Sequence, residues 1–216
     1  MDYKLKAFVE LANIFESRGY HLYLVGGSVR DYLLNIPLMD MDVVTDATPE
    51  EEKEFLENAD YTFAKYGSVK LIYQNIKFDV TTLRKEEQYL DSRHPALIKF
   101  TKDLKEDVSR RDITINALYL SKDLEVIDFV NGQKDLKDKI IRMVGDPDKR
   151  FKEDPLRIIR VLRFKFDLGF DIENATYDSL LNNISLVDLL NKDKVSQEVN
   201  KCSDPLALIS FLNEYN

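Results

Sequence analysis

Val25-Gly26-Gly27-Ser28-Val29-Arg30-Asp31, followed by Asp40-Met41-Asp42-Val43-Val44-Thr45, is the stretch on which the reading of this chain turns. His21 to Val25 reads as a short strand, the glycines close it, and Ser28 to Leu34 reads as a helix. Paired glycines permit a tight turn and let backbone approach a ligand closely. The start of a helix offers unpaired N–H groups and a positive dipole end, the natural partner of a phosphate. Gly26, Gly27 and Ser28 are therefore candidate phosphate contacts, and Arg30 adds a charged one. On a strand, alternate side chains share a face, which puts Asp40 and Asp42 together. Two carboxylates so close repel unless a cation lies between them, and such oxygen ligands suit Mg²⁺. A third acid, Asp79, sits among apolar residues in Ile76-Lys77-Phe78-Asp79-Val80-Thr81. Three carboxylates could place two metals for in-line phosphoryl displacement. Taken singly, these features also fit a glycine turn, a solvated Asp pair and an outward-facing strand acid. Their combination favours phosphoryl chemistry.

Outward from this stretch, Leu5, Phe8, Val9, Ala12 and Phe15 recur at helical spacing, and Gly19 stops them. Thr48-Pro49-Glu50-Glu51 is a capping box with proline in the first turn, so a helix is expected to about Asn58. Val69 to Tyr73 and Phe78 to Leu83 read as a hairpin around Gln74-Asn75, and Tyr119-Leu120 with Val126 to Phe129 as a second. Lys85 to about Asp107 is a long polar stretch, read as a loop. Ser109 is expected to open a helix, with Asp112 spaced as its capping-box partner. Asp154-Pro155 is another helix start. After Asn131-Gly132 the pattern is helical almost to the end. The fold class is α+β: a mixed sheet with flanking helices over residues 1–138, then an all-helical segment over 139–216.

The chain has 216 residues, 44% hydrophobic and 32% charged, which suits a folded protein with a real core. No run of about 18 apolar residues is present, so no membrane span is expected. The N-terminal segment lacks an uninterrupted apolar stretch, so no secretory signal is expected either. The single cysteine, Cys202, excludes an internal disulfide, and a cytoplasmic location is the simple reading. The net charge of −8 argues against a broad nucleic-acid grip. Charge is unevenly placed, however: Lys149 to Lys165 holds seven basic residues and two acidic, whereas Phe166 to Asn216 holds nine acidic and three basic. A local basic stripe of this kind is compatible with a nucleotide site.

These residues resemble the DNA polymerase beta nucleotidyltransferase superfamily, and more narrowly the class II CCA-adding enzymes and related bacterial poly(A) polymerases. Gly26 to Asp31 with Asp40-x-Asp42 and Thr45 is similar to the family's first motif. Arg110-Arg111-Asp112-Ile113-Thr114-Ile115-Asn116-Ala117 resembles the second. Asp128-Phe129-Val130-Asn131-Gly132 with Asp135-Leu136 resembles the hinge motif, and Glu153-Asp154-Pro155-Leu156-Arg157 through Phe164 the motif that selects the base. All stand in the family's order.

The resemblance implies a nucleotidyltransferase head followed by a helical neck, with Asp40, Asp42 and Asp79 holding Mg²⁺ in a two-metal site. It implies that Arg111 contacts the triphosphate or sugar of the incoming nucleotide, and that Asp112 and Asn116 hold the sugar and order the site. Asp154 would accept and Arg157 donate hydrogen bonds at the Watson–Crick edge of the base, with Arg160 and Arg163 supporting that pair or the phosphates. CTP and ATP would be the substrates and the 3′ end of a tRNA the acceptor. Arg84 to Pro95 resembles the family's flexible loop, associated with addition of the final A. Asn35 stands where a glycine is common, and Asn tolerates the left-handed conformation. The chain stops where the neck of such enzymes would end, so a truncation and a minimal enzyme both remain open. A poly(A) polymerase using ATP alone and a binding module without productive tRNA binding are the alternatives. The sequence specifies no oligomeric state, although a homo-oligomer would lengthen an RNA surface.

Overall fold

The computed structural model describes residues 2–89 and 95–215. Contacts divide the chain into two compact units, residues 1–87, 97–111 and 115–132, and residues 88–96, 112–114 and 133–216.

In the first unit, α1 (Tyr3–Ser17) is capped by Asp2, whose carboxylate accepts from the Lys4 N–H at 2.8 Å. Its buried stripe is Leu5, Phe8, Leu11, Ala12 and Phe15, at the spacing of one helix face. There follow β1 (Leu22–Val25), α2 (Gly27–Leu33), β2 (Asp42–Thr45) and α3 (Pro49–Glu52). Next come β3 (Ser68–Tyr73), β4 (Ile76–Thr82), β5 (Arg84–Tyr89), β6 (Pro95–Phe100), α4 (Leu104–Val108), β7 (Leu118–Leu120) and β8 (Val126–Asp128), with residues 88–89 of β5 and 95–96 of β6 counted with the second unit. Six of these strands form one sheet in the order β3-β4-β2-β1-β7-β8. Only β2 and β4 in that sheet pair in parallel, so the sheet is mixed, as expected. Its core joins α1 to the inward residues of the strands, including Leu24, Val43, Phe78, Val80 and Leu118.

The hairpin of β3 and β4 turns at Gln74 and Asn75, both at positive φ, 49° and 61°. That is the two-residue turn whose twist matches the strands. Asn35 adopts φ 56°, the left-handed conformation expected of an asparagine in a glycine's place.

Three local expectations are corrected. The Thr48 capping box forms, but the helix it opens ends at Glu52 rather than near Asn58. The polar stretch read as a loop contains β5, β6 and α4, with β5 and β6 forming a two-stranded sheet. The sequence of β5, Arg84-Lys85-Glu86-Glu87-Gln88-Tyr89, has no alternation of apolar and polar residues to mark a strand, and β6 opens on a proline. Within that stretch, Leu90 to His94 lie outside the described residues. Ser109 does not open a helix: it is the C-cap of α4, its hydroxyl donating to the Glu106 carbonyl. Asp112 caps nothing there.

The second unit carries α5 (Gly132–Asp138, its first residue counted with the first unit), β9 (Ile140–Ile141), α6 (Pro147–Glu153) and α7 (Leu156–Leu168). After these come β10 (Asp171–Ile172), α8 (Asn174–Asn183), α9 (Lys192–Val199) and α10 (Pro205–Tyr215). It is helical apart from the short parallel pair of β9 with β10. α7 touches α6, α9 and α10 and buries Ile158, Ile159, Val161 and Leu162. Pro155, expected as the first helical residue, is instead the N-cap of α7, and Asp154, which ends α6, accepts from the Leu156 N–H at 3.1 Å. Among the described residues no helix is long and apolar enough to cross a membrane.

Candidate active site

Parallel pairing of β2 with β4 sets Asp42 directly opposite Asp79. Val43 and Val80, one residue on, are buried, so the alternation of each strand turns both acids to the other face. Asp40 lies just before β2 and is exposed. Burial, then the charges of Asp79 and Asp40, raise the Asp42 carboxyl from 3.8 to about 6, while Arg111 pulls the other way. Asp42 thus feels the charge of both other predicted acids.

The segment between them is fixed by Ser28. Its hydroxyl is buried, donates to the Asp40 carbonyl at 3.0 Å and accepts from the Asp42 N–H at 3.3 Å. Ser28, read from sequence as a phosphate contact, spends its hydroxyl on holding the Asp-x-Asp segment. Gly26 adopts φ 72° and ψ −137°, a conformation open in practice only to glycine. Arg30 bonds Asp31 at 2.7 Å and the Asn116 side-chain oxygen at 2.9 Å. Asn116 therefore orders α2 through Arg30.

Gly26, Asp42, Asp79, Arg84, Arg110 and Arg111 line a cavity of about 400 Å³. A lining that combines two carboxylates with three arginines suits a polyphosphate with its counter-cation. The donors present fit Mg²⁺: they are hard oxygens, and Asp42 sits in a repulsive field that a cation would relieve. Among the described residues no group of three or more His, Cys, Asp or Glu side chains converges tightly enough to enclose a metal by itself. Mg²⁺ commonly binds through one or two carboxylates and completes its shell with water and substrate phosphate.

Three residues of this cavity region were missed in the sequence as site residues. Arg84 and Arg110 line it. Asp107, fully buried on α4, bonds Arg110 at 2.8 Å and Arg111 at 2.7 Å. The available signal was its helical spacing, three and four residues before the two arginines.

In the second unit, Asp112 accepts from Arg157 Nε at 2.7 Å and from Arg160 Nη1. Burial acts to raise the Asp112 carboxyl, but Arg160 and then Arg157 outweigh it and hold it low. Arg160 also reaches Asp154 Oδ2 at 3.1 Å, and Arg157 Nη1 donates to the Arg150 carbonyl at 3.0 Å. Asp154 and Arg157 are buried, 5% and 3% exposed, and held rather than free to swing. Arg163 departs from this group: it pairs with Glu198 on α9 at 2.9 Å and lies over the Phe164 ring.

A family model described as the poly A polymerase head domain matches residues 22–142. The CCA-adding enzyme of Staphylococcus epidermidis is 39% identical over 186 residues, covering 86% of this chain and 46% of that protein. The CCA-adding enzyme of Staphylococcus haemolyticus is 41% identical over the same shares. Among solved structures, the Bacillus stearothermophilus CCA-adding enzyme in complex with CTP matches with a TM-score of 0.86 at 30% identity, over 93% of this chain and 49% of that one. A tRNA nucleotidyltransferase complexed with a primer tRNA and an incoming ATP analog matches with a TM-score of 0.78 at 30% identity, over 95% of this chain and 60% of that one. The chain spans about half the length of the curated relatives it matches.

Proposed function

The chain belongs to the poly A polymerase head-domain family, and from that premise we propose that it is a template-independent nucleotidyltransferase adding C and A, from CTP and ATP, to the 3′ end of tRNA. The observation that carries the reading is the pairing of Asp42 with Asp79 beside a cavity walled by Arg84, Arg110 and Arg111. Relatives about 40% identical named CCA-adding enzymes support addition of both C and A, and the solved relatives bound to CTP and to a primer tRNA with an ATP analog support the nucleotides and the tRNA acceptor. A cytoplasmic location accords with that substrate.

Asp40, Asp42 and Asp79 would hold Mg²⁺. Bound there, the metal would ease ionisation of the RNA 3′-hydroxyl and stabilise charge as it attacks the α-phosphate and pyrophosphate leaves. Arg111 and its neighbours would carry the triphosphate, whose charge two or three guanidinium groups match. Gly26 would let the backbone approach that group. Gly27 would do the same; Ser28 would hold the Asp-x-Asp segment, and Arg30, bonded to Asn116, would hold the loop in place. Asp154 and Arg157 would read the base, the carboxylate accepting and the guanidinium donating. Each oxygen of Asp154 has a second lone pair beyond the bonds from Leu156 and Arg160, so the acid can still accept. Asp112 and Arg160 would fix that pair's orientation. We assign the head to residues 1–138 and the neck to 139–216.

The family description favours one second reading, a poly(A) polymerase using ATP alone. The test is incorporation into a tRNA lacking its terminal CCA, with Mg²⁺ and CTP, ATP or both, followed by sequencing of the 3′ ends. CCA ends requiring both nucleotides establish the reading. Runs of A from ATP alone transfer it to the alternative, and no addition overturns both for this chain.

A further inference from the structure

Asp107 has no place in the roles assigned so far, yet it is the most heavily bonded carboxylate beside the cavity. Its side chain is 0% exposed. Oδ1 accepts from Arg110 Nε at 2.8 Å and from the Arg84 backbone N–H at 3.2 Å. Oδ2 accepts from Arg111 Nη2 at 2.7 Å and Nε at 3.1 Å, and from the Tyr119 hydroxyl at 2.9 Å. Arg111 also donates from Nε to the Tyr119 oxygen at 3.1 Å, and its guanidinium lies 5.0 Å from the centre of that ring.

A carboxylate out of water is costly unless paired and fully bonded. This one meets both conditions. Every partner on its list either lines the cavity with Asp42 and Asp79 (Arg84, Arg110, Arg111) or braces one that does (Tyr119). Two adjacent arginines would otherwise repel and sample many rotamers. One buried anion bonded to both sets their planes together.

We propose that Asp107 is a positioning residue for nucleotide capture, fixing Arg110 and Arg111 so that they meet the triphosphate of the incoming nucleotide. This rests on the reading of the cavity as a nucleoside triphosphate site. It separates sharply from a purely electrostatic account. Asp107→Asn removes a negative charge beside the cavity, so charge alone predicts tighter binding of a polyanion. Loss of positioning predicts weaker binding despite the extra positive charge.

The experiment measures binding of inorganic pyrophosphate with Mg²⁺ by calorimetry, and KM and kcat for CTP, in wild type, Asp107→Asn and Tyr119→Phe. Thermal melts establish that each variant is folded. For Asp107→Asn the expected result is pyrophosphate affinity lowered about tenfold, equivalent to ~1.4 kcal/mol, with KM for CTP rising and kcat moving less. Tyr119→Phe keeps the ring and removes one donor to Asp107; it should shift affinity in the same direction by about threefold, and it carries the test alone if Asp107→Asn does not fold. Unchanged or tighter pyrophosphate binding in the folded variants overturns the proposal. A wild type that binds pyrophosphate but incorporates no nucleotide counts against the assigned function and leaves this inference to the binding data.

Discussion

Asp42 and Asp79 face each other in register across the one parallel pairing of the main sheet, although 37 residues separate them in sequence (79 − 42). Burial first, and then the charges of Asp79 and Asp40, raise the cost of ionising Asp42. A group arranged at such expense is matched to a cation and a reacting phosphate. Asp42→Asn should therefore cut nucleotide incorporation by about 100-fold or more, the scale of losing a key electrostatic contact to the transition state. The same change should leave the melting temperature without Mg²⁺ equal or higher, because it relieves repulsion. Substantial incorporation by the variant would sink the assignment.

Ser28 joins the glycine turn to the Asp-x-Asp segment through a single hydroxyl. In Ser28→Ala the Asp42 N–H loses its acceptor. Stability should fall by about 1–2 kcal/mol, read by urea denaturation. Incorporation should fall further than that loss alone explains, since Asp40 and Asp42 would no longer be held to one geometry. Equal activity per folded molecule would show that the hydroxyl only supports the fold.

Gly26 is constrained by its backbone rather than by space. A β-carbon there would meet no atom within 4 Å, yet φ is 72° and ψ −137°. Gly26→Ala should cost about 1–3 kcal/mol through strain alone. Gly26→Asn should recover little, because that ψ lies outside the left-handed well asparagine tolerates. Denaturant midpoints for the two variants check this.

Glu52 offers a pH test away from the site. It is fully buried at the end of α3, and neither carboxylate oxygen has a hydrogen-bond partner among the described residues. Burial first, then Glu50 and Glu51, push its pKa from 4.5 to about 8. The folded value lies above the unfolded one, so the native state binds the proton more tightly. Its contribution to stability is complete below pH 4.5 and is lost as pH rises through about 8. Glu52→Gln, neutral throughout, should gain on wild type as pH rises from 4.5 to about 8 and level off above that. A difference in melting temperature that does not change with pH would refute the placement of Glu52.

Arg157 and Arg163 sit on the same helix and should behave differently. Arg157 belongs to the group formed by Asp112, Asp154 and Arg160, whereas Arg163 ties α7 to α9 through Glu198. Arg157→Lys should alter the ratio of C to A incorporation, because a lysine cannot reproduce the planar donor set. Arg163→Ala should lower stability by about 3 kcal/mol, the scale of breaking a largely buried ion pair, and leave that ratio unchanged. Sequenced 3′ ends and denaturation curves together decide the matter.

The sequence by itself determined what depends on neighbours along the chain. The α1 stripe, the Gln74-Asn75 turn, the Thr48 capping box and the left-handed Asn35 follow from local periodicity, dihedral preference and short side-chain bonds. It also supplied Gly26, Asp40, Asp42 and Asp79 as candidates, because those residue types carry recognisable chemistry. Only the tertiary structure decided their partners. Ser28 and Asn116 turn out to brace Asp42 and Arg30, Asp112 receives Arg157 from 45 residues away, and Asp107 gathers Arg84, Arg110, Arg111 and Tyr119. β5 escaped notice because Arg84-Lys85-Glu86-Glu87-Gln88-Tyr89 shows no alternation of apolar and polar residues in sequence, and β6 because its short run begins at Pro95 inside a polar stretch. Hydrogen-bond and charge pairing is a property of positions in space, and a buried carboxylate takes whichever donors the packed chain brings to it.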